Sequence, residues 1–147
     1  LLSLPACTSS GQLAYHQGDH ASDAPALGKV TLASQKAGNV TFAPTACSAG
    51  DNQQFLGGDF ADDGAGMILR LVIDPLYGPA VRAFSMKEPN ERSVVFRRSE
   101  CRTFKLHIER TGLTVNDVDE YRIALDVDCA NGDGDTLKGS VSSDSCL

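Results

Sequence analysis

The sequence has no tryptophan, two methionines and three histidines among its 147 residues. It also lacks a basic excess, since 19 acidic against 13 basic residues leave a net charge of −6. That balance excludes wrapping nucleic acid, which needs a net basic footprint. No apolar run approaches the roughly 20 residues that a membrane-spanning helix requires. No two cysteines are spaced C-x-x-C, so neither a zinc ribbon nor a thiol redox motif is indicated. The motifs G-x-S-x-G, H-E-x-x-H and G-x-G-x-x-G and the phosphate-binding loop are missing. No catalytic residue is assigned on this basis, and no cofactor is expected.

What is present is the composition of one globular domain, with 41% hydrophobic and 22% charged residues. Fourteen glycines and six prolines point to many turns and short elements. Apolar and polar residues alternate with a period of two, and helical stripes are absent. The alternation predicts strands at 28–34, 39–46, 66–74, 79–86, 92–98, 101–110, 120–129 and 136–143, with a short one at 53–57. Turn residues separate them, as in Asp63-Gly64-Ala65-Gly66 and Asn131-Gly132-Asp133-Gly134. The segment 111–119 is expected to hold a helical turn or a crossover. The fold class expected is all-β, an antiparallel β-sandwich or flattened barrel of about eight strands, stapled by disulfides. Met67, Leu69, Leu71 and Ile73, with Phe104, Leu106, Ile108, Tyr121, Ile123, Leu125 and Val127, are the expected core.

The chain opens Leu1-Leu2-Ser3-Leu4-Pro5-Ala6-Cys7. Leu4-Pro5-Ala6-Cys7 resembles the lipobox of bacterial lipoproteins, with Pro5 standing where a small residue is usual. The resemblance covers four residues and implies that Cys7 is lipidated after cleavage before it. Residues 1–6 are then the tail of a signal peptide and 7–27 the lipidated cysteine with a flexible polar tether. Residues 28–147 form the single β domain. The expected address is the bacterial cell envelope, at the outer membrane or the periplasmic face, with several acyl chains as the membrane anchor.

The remaining cysteines are Cys47, Cys101, Cys129 and Cys146, an even number suited to two disulfides in an oxidising envelope. Three connectivities are possible. Cys129 shares its strand's apolar face with Ile123, Leu125 and Val127, whereas Cys101 has the opposite parity from Phe104, Leu106 and Ile108. Joining Cys101 to Cys129 across a plain hairpin would require a bulge. Parity therefore favours Cys47–Cys129 with Cys101–Cys146.

Charge is segregated along the chain. Residues 82–110 hold eight basic residues (Arg82, Lys87, Arg92, Arg97, Arg98, Arg102, Lys105 and Arg110) and four acidic ones, a net of +4. Arg97, Arg98 and Arg102 cluster at a turn, where guanidinium forks suit carboxylates or phosphates. They are the expected partner-binding residues, for an envelope protein or an anionic glycan or lipid. Pairing with the chain's own surplus acids explains the same cations. His107 is expected to face solvent between Lys105 and Glu109. Asn131, Asp133 and Asp135 match the first oxygen ligands of a calcium loop, but Thr136 and Ser142 replace the glycine and glutamate such a loop needs. A hairpin turn accounts for them as well. His16 and His20 are weak metal-ligand candidates beside Asp19 and Asp23. Asp59, Asp62 and Asp63 read as a solvated acidic loop.

These readings converge on a membrane-anchored, non-enzymatic binding module of the envelope, in its sharper form an inhibitor or immunity-type protein. A structural lipoprotein packed into a larger assembly and a metal-assisted enzyme are the rivals.

Overall fold

The computed structural model describes residues 26–147, so Cys7, His16, His20, the signal-peptide reading and the tether up to residue 25 lie outside the described residues, while Leu27, expected in the tether, opens the first strand. Ten strands follow one another: β1 (Leu27–Ser34), β2 (Gly38–Phe42), β3 (Ala46–Ala49), β4 (Gly57–Asp62), β5 (Met67–Asp74), β6 (Gly78–Ser85), β7 (Ser93–Arg97), β8 (Cys101–Val115), β9 (Val118–Ala130) and β10 (Thr136–Cys146). They form two five-stranded antiparallel sheets, ordered β2-β1-β10-β9-β8 and β3-β4-β5-β6-β7. The architecture is the disulfide-stapled β-sandwich expected from the alternation. Of the two strands beyond the eight expected, one arises because Pro44 offers no amide hydrogen and divides 39–46 into β2 and β3, and the other is β4.

The inner faces meet in one apolar core. Phe60, Leu71, Val81, Phe96, Ile123 and Leu137 are each 0% exposed, and Val30, Leu32, Leu69, Leu125 and Val127 are nearly so. Burial of a side chain of this size contributes about 1.5–3 kcal/mol. Phe104, Leu106 and Ile108 pack against the core while staying half-buried, because β8 is an edge strand. Val30, Leu32, Val40 and Phe42 face Met67, Leu69 and Ala83. At another corner the Tyr121 hydroxyl lies 3.2 Å from Asp51, in the 3-10 turn after β3. Glycine is required where backbones approach: a Cβ on Gly57 (φ +142°) would lie 1.9 Å from the Leu71 carbonyl oxygen.

Several sequence expectations are corrected. The 53–57 segment is a turn leading into β4, and the strand lies just beyond it. No helical turn occupies 111–119. β8 and β9 continue as a hairpin, and Asn116 and Asp117 close it at φ 51° and 66°. Those left-handed positions are the ones a tight hairpin turn demands, and Asn and Asp tolerate them. The supposed acidic loop at 59–63 is largely strand. Asp59 and Asp62 are 2% and 8% exposed. Arg70 holds Asp59 in a fork-on-fork pair, with both contacts at 2.7 Å. Asp62 accepts the amide hydrogens of Ala43 and Ala65 at 2.8 and 3.0 Å. Residues that read as solvated charge are buried because each finds a dedicated donor.

The disulfides are Cys47–Cys146, between the sheets, and Cys101–Cys129, within one sheet. The pairing Cys47–Cys129 with Cys101–Cys146 is therefore wrong, and bulges explain why. Cys101 faces Cys129 while Thr103 faces Asp128, so two residues of β8 oppose one of β9. The extra residue, Arg102, reverses the parity and turns Cys101 toward Cys129. In β10, Ser143 faces Ile123 and Cys146 faces Tyr121, again one residue in excess. That shift turns Cys146 inward toward Cys47.

The loops closed differ in length, with sequence separations of 99 and 28. Chain entropy then assigns about 4.7 kcal/mol to Cys47–Cys146 and about 3.6 kcal/mol to Cys101–Cys129. Denaturant melts of the two double Cys→Ala variants should show the larger loss for Cys47/Cys146. The reverse order would refute the loop-length account.

Candidate partner-binding end

The end of the sandwich that carries the β5–β6 turn and the β7–β8 link is built from the most exposed large apolar side chains among the described residues and the expected basic cluster. After β5, Asp74 opens the turn Pro75-Leu76-Tyr77. Its Oδ1 accepts the amide hydrogens of Leu76 and Tyr77 at 2.7 and 2.9 Å. These bonds from Tyr77 and Leu76 hold the Asp74 carboxyl below its ordinary 3.8, with help from the charge of Arg97. Gly78, at φ +78°, supplies the left-handed step that returns the chain into β6. Leu76 and Tyr77 are consequently fixed in the open, at 84% and 73% exposure.

The β7–β8 link is a single 3-10 turn, Arg98–Glu100. The Arg97 amide donates to Glu100 Oε1 at 2.9 Å and fixes its start. The Arg97 guanidinium lies 5.7 Å from the centre of the Tyr77 ring, and that of Arg98 lies 5.5 Å from the Phe104 ring. Ring contacts of this kind orient a guanidinium without consuming its in-plane donors. Neither Arg97 nor Arg98 forms an ion pair among the described residues. Arg102 differs. It reaches Asp128 Oδ2 through Nη2 at 2.5 Å and through Nε at 3.2 Å. The Arg102 hydrogen bond and charge, with Lys138 nearby, hold the Asp128 carboxyl below 3.8.

The expected trio is thus brought to one end of the fold, but only two of its members are without an ion pair. Leu76 and Tyr77 were not among the sequence candidates. The signal for them was available: two large apolar residues stand inside a Pro/Gly turn, where solvent exposure normally selects polar ones.

The other candidates do other work, although the β9–β10 turn lies at this same end, where Cys129 faces Cys101. Asn131 Oδ1 accepts the amide hydrogens of Asp133 and Asp135, each at 3.0 Å, and its amide donates to Asp135 Oδ2. Asn131 and Asp135 therefore serve the β9–β10 turn itself, and Asp133 is exposed. His107 is on the outer face of β8, with Nε2 3.4 Å from Glu109. Glu109 in turn is held below its ordinary 4.5 by Arg122 first and His107 second. Among the described residues, no three His, Cys, Asp or Glu side chains converge as metal ligands would. A shallow depression of about 470 Å³ crosses the outer face of β1, β10, β9 and β8, floored by Ala124, Ser140 and Ser142.

The fold and this end define a disulfide-stapled β-sandwich with an exposed apolar and cationic tip. Comparison with protein-family models, with curated proteins and with solved structures yields no match.

Arg102→Gln should raise the titration of Asp128 toward the ordinary carboxylate range, while Arg98→Gln should leave it in place. Carboxyl NMR between about pH 2 and about pH 6 checks this. Because the folded pKa is the lower one, the pair stabilises the fold above the unfolded value. That contribution disappears as the pH falls through the folded pKa. Equal responses from the two variants would remove Arg102 as the cause.

Proposed function

We propose that the chain is a lipid-anchored protein of the bacterial envelope whose β body acts as a non-enzymatic binding module. The observation that carries this reading is the tip itself, where Arg97 and Arg98 are oriented by rings, keep unpaired donors and stand beside exposed Leu76 and Tyr77. Groups held rigid before contact lose little freedom on binding, which is what a recognition surface requires. Two disulfides suit an oxidising compartment. The resemblance at Leu4-Pro5-Ala6-Cys7 supplies the anchor. A protein of this construction fits an inhibitor or immunity-type role toward an enzyme working in the envelope.

Two experiments test the reading. Cys7→Ser should move the full chain from the membrane to the soluble fraction on cell fractionation, and retention of the variant would remove the lipid anchor. Reversing charge at Arg97, Arg98 and Arg102 together should abolish salt-sensitive capture of a partner from envelope extract. The melting temperature should change little, because all three side chains are exposed and solvent screens the one ion pair among them. Undiminished capture by the triple variant would dismiss the basic turn.

A further inference from the structure

We infer that the tip is a docking surface for a folded protein offering an apolar pocket bordered by carboxylates. Leu76 and Tyr77 are its anchor, and Arg97 and Arg98 its clamps. The inference rests on the binding-module reading and names the chemistry of the partner.

The argument begins with exposure. Leu76 and Tyr77 are the two most exposed large apolar side chains among the described residues. Apolar residues on a mobile loop would lose much entropy when captured. Here the backbone is locked by the two bonds to Asp74 Oδ1, so the side chains can enter a pocket with their carrier already ordered. The chemistry of the rim follows. Tyr and Arg, with Trp, are the residue types that most often dominate the energy of protein interfaces, as desolvated anchors surrounded by weaker contacts that exclude water. Arg97 and Arg98 present planar forks whose natural complement is a carboxylate accepting two parallel hydrogen bonds.

The surface is not uniformly cationic, and this separates a protein from a membrane. Asp74 lies close enough to Arg97 to feel its charge, and Glu100 caps the turn between Arg98 and β8. An anionic bilayer would repel both carboxylates along with a chain of net charge −6. A protein surface can answer each charge individually, and complementary patterns of mixed sign give orientation as well as attraction.

The test uses the full, lipid-anchored chain in the cells that produce it, with photoreactive benzoylphenylalanine at position 76 or, as control, at position 113. Leu113 is also exposed, at 50%, but lies in the β8–β9 hairpin, away from the tip. Crosslinking to one polypeptide from position 76 and not from 113 is expected. With that polypeptide purified, Leu76→Ser/Tyr77→Ser should weaken its binding by about 30-fold or more. Arg97→Glu/Arg98→Glu should weaken it and flatten its salt dependence. Thermal melts should report both variants as folded. A partner captured with affinity indifferent to all four residues would overturn this surface and leave the binding module standing. Absence of both a captured protein and vesicle binding would overturn both. Binding of phosphatidylcholine–phosphatidylglycerol vesicles that is lost in the Leu76→Ser/Tyr77→Ser variant, without a protein crosslink, would replace the protein partner by an anionic lipid surface.

Discussion

The covalent frame of this domain depends on two one-residue bulges. In a strand, side chains alternate strictly between faces, so an extra residue sends every later side chain to the other side. At Arg102 the insertion lets Cys101 share the inner face with Cys129 although Phe104, Leu106 and Ile108 have the opposite parity. Near the end of β10 the insertion lets Cys146 follow Val141 and Ser143 inward and reach Cys47 on the other sheet. Without the first bulge, Arg102 would take the inward place opposite Cys129 and would not stand outward beside Asp128. The Cys101–Cys129 staple and the placement of Arg102 therefore share one cause, and the Cys47–Cys146 staple has its counterpart in β10.

The same bulges mark where the sequence stopped being legible. Alternation alone was enough to identify an all-β body and seven of its strands within a few residues, because period-2 patterning records one buried and one wet face. It was enough to place Leu69, Leu71, Ile123, Leu125 and Val127 in the core. Parity arithmetic assumes unbroken strands, and it favoured the wrong disulfide pairing as soon as one residue was inserted. β4 was hidden for another reason. Gly57-Gly58-Asp59-Phe60-Ala61-Asp62 has too few branched residues and too many charges to read as a strand. Its acids become intelligible only when Arg70, eleven residues later on β5, is brought opposite Asp59 by sheet register.

Charge counting had a comparable limit. The excess of cations in 82–110 is a property of the sequence, but the fold distributes those cations among different tasks. Arg82 stacks on Phe84 and donates to Ser93 and to the Pro89 carbonyl. Arg102 neutralises Asp128, Arg110 approaches Asp119 at 3.4 Å, and Lys105 stands across from Asp126 on β9. Arg70, outside that segment, lies between the Phe55 and Phe84 rings while gripping Asp59. It shows what a guanidinium does when its carboxylate is internal. Arg97 and Arg98 have the ring without an ion pair, Asp74 acting on Arg97 only at a distance. The difference between an arginine spent inside the fold and one left open is here the absence of an ion pair, and only the fold reveals it.

Exposure of apolar residues does not by itself mark a recognition surface, and the hairpin at the far end of β8 makes the comparison. Leu113 and Val115 are exposed on a segment bearing an irregular register between Arg110 and Thr114 and a glycine at φ +95°. Beyond Tyr121, β9 has no paired residue on β10, so only two strands support these side chains. A two-stranded ribbon is marginally stable in water. Leu76 and Tyr77 are instead carried between β5 and β6, central strands of a five-stranded sheet whose register runs unbroken to the turn, where Asp74 pairs with Gly78. One tip can fluctuate at little cost, whereas the other presents its side chains on a backbone already fixed by the sandwich. Rigidity, two unpaired guanidiniums and apolar reach coincide only at the second, and that coincidence singles it out.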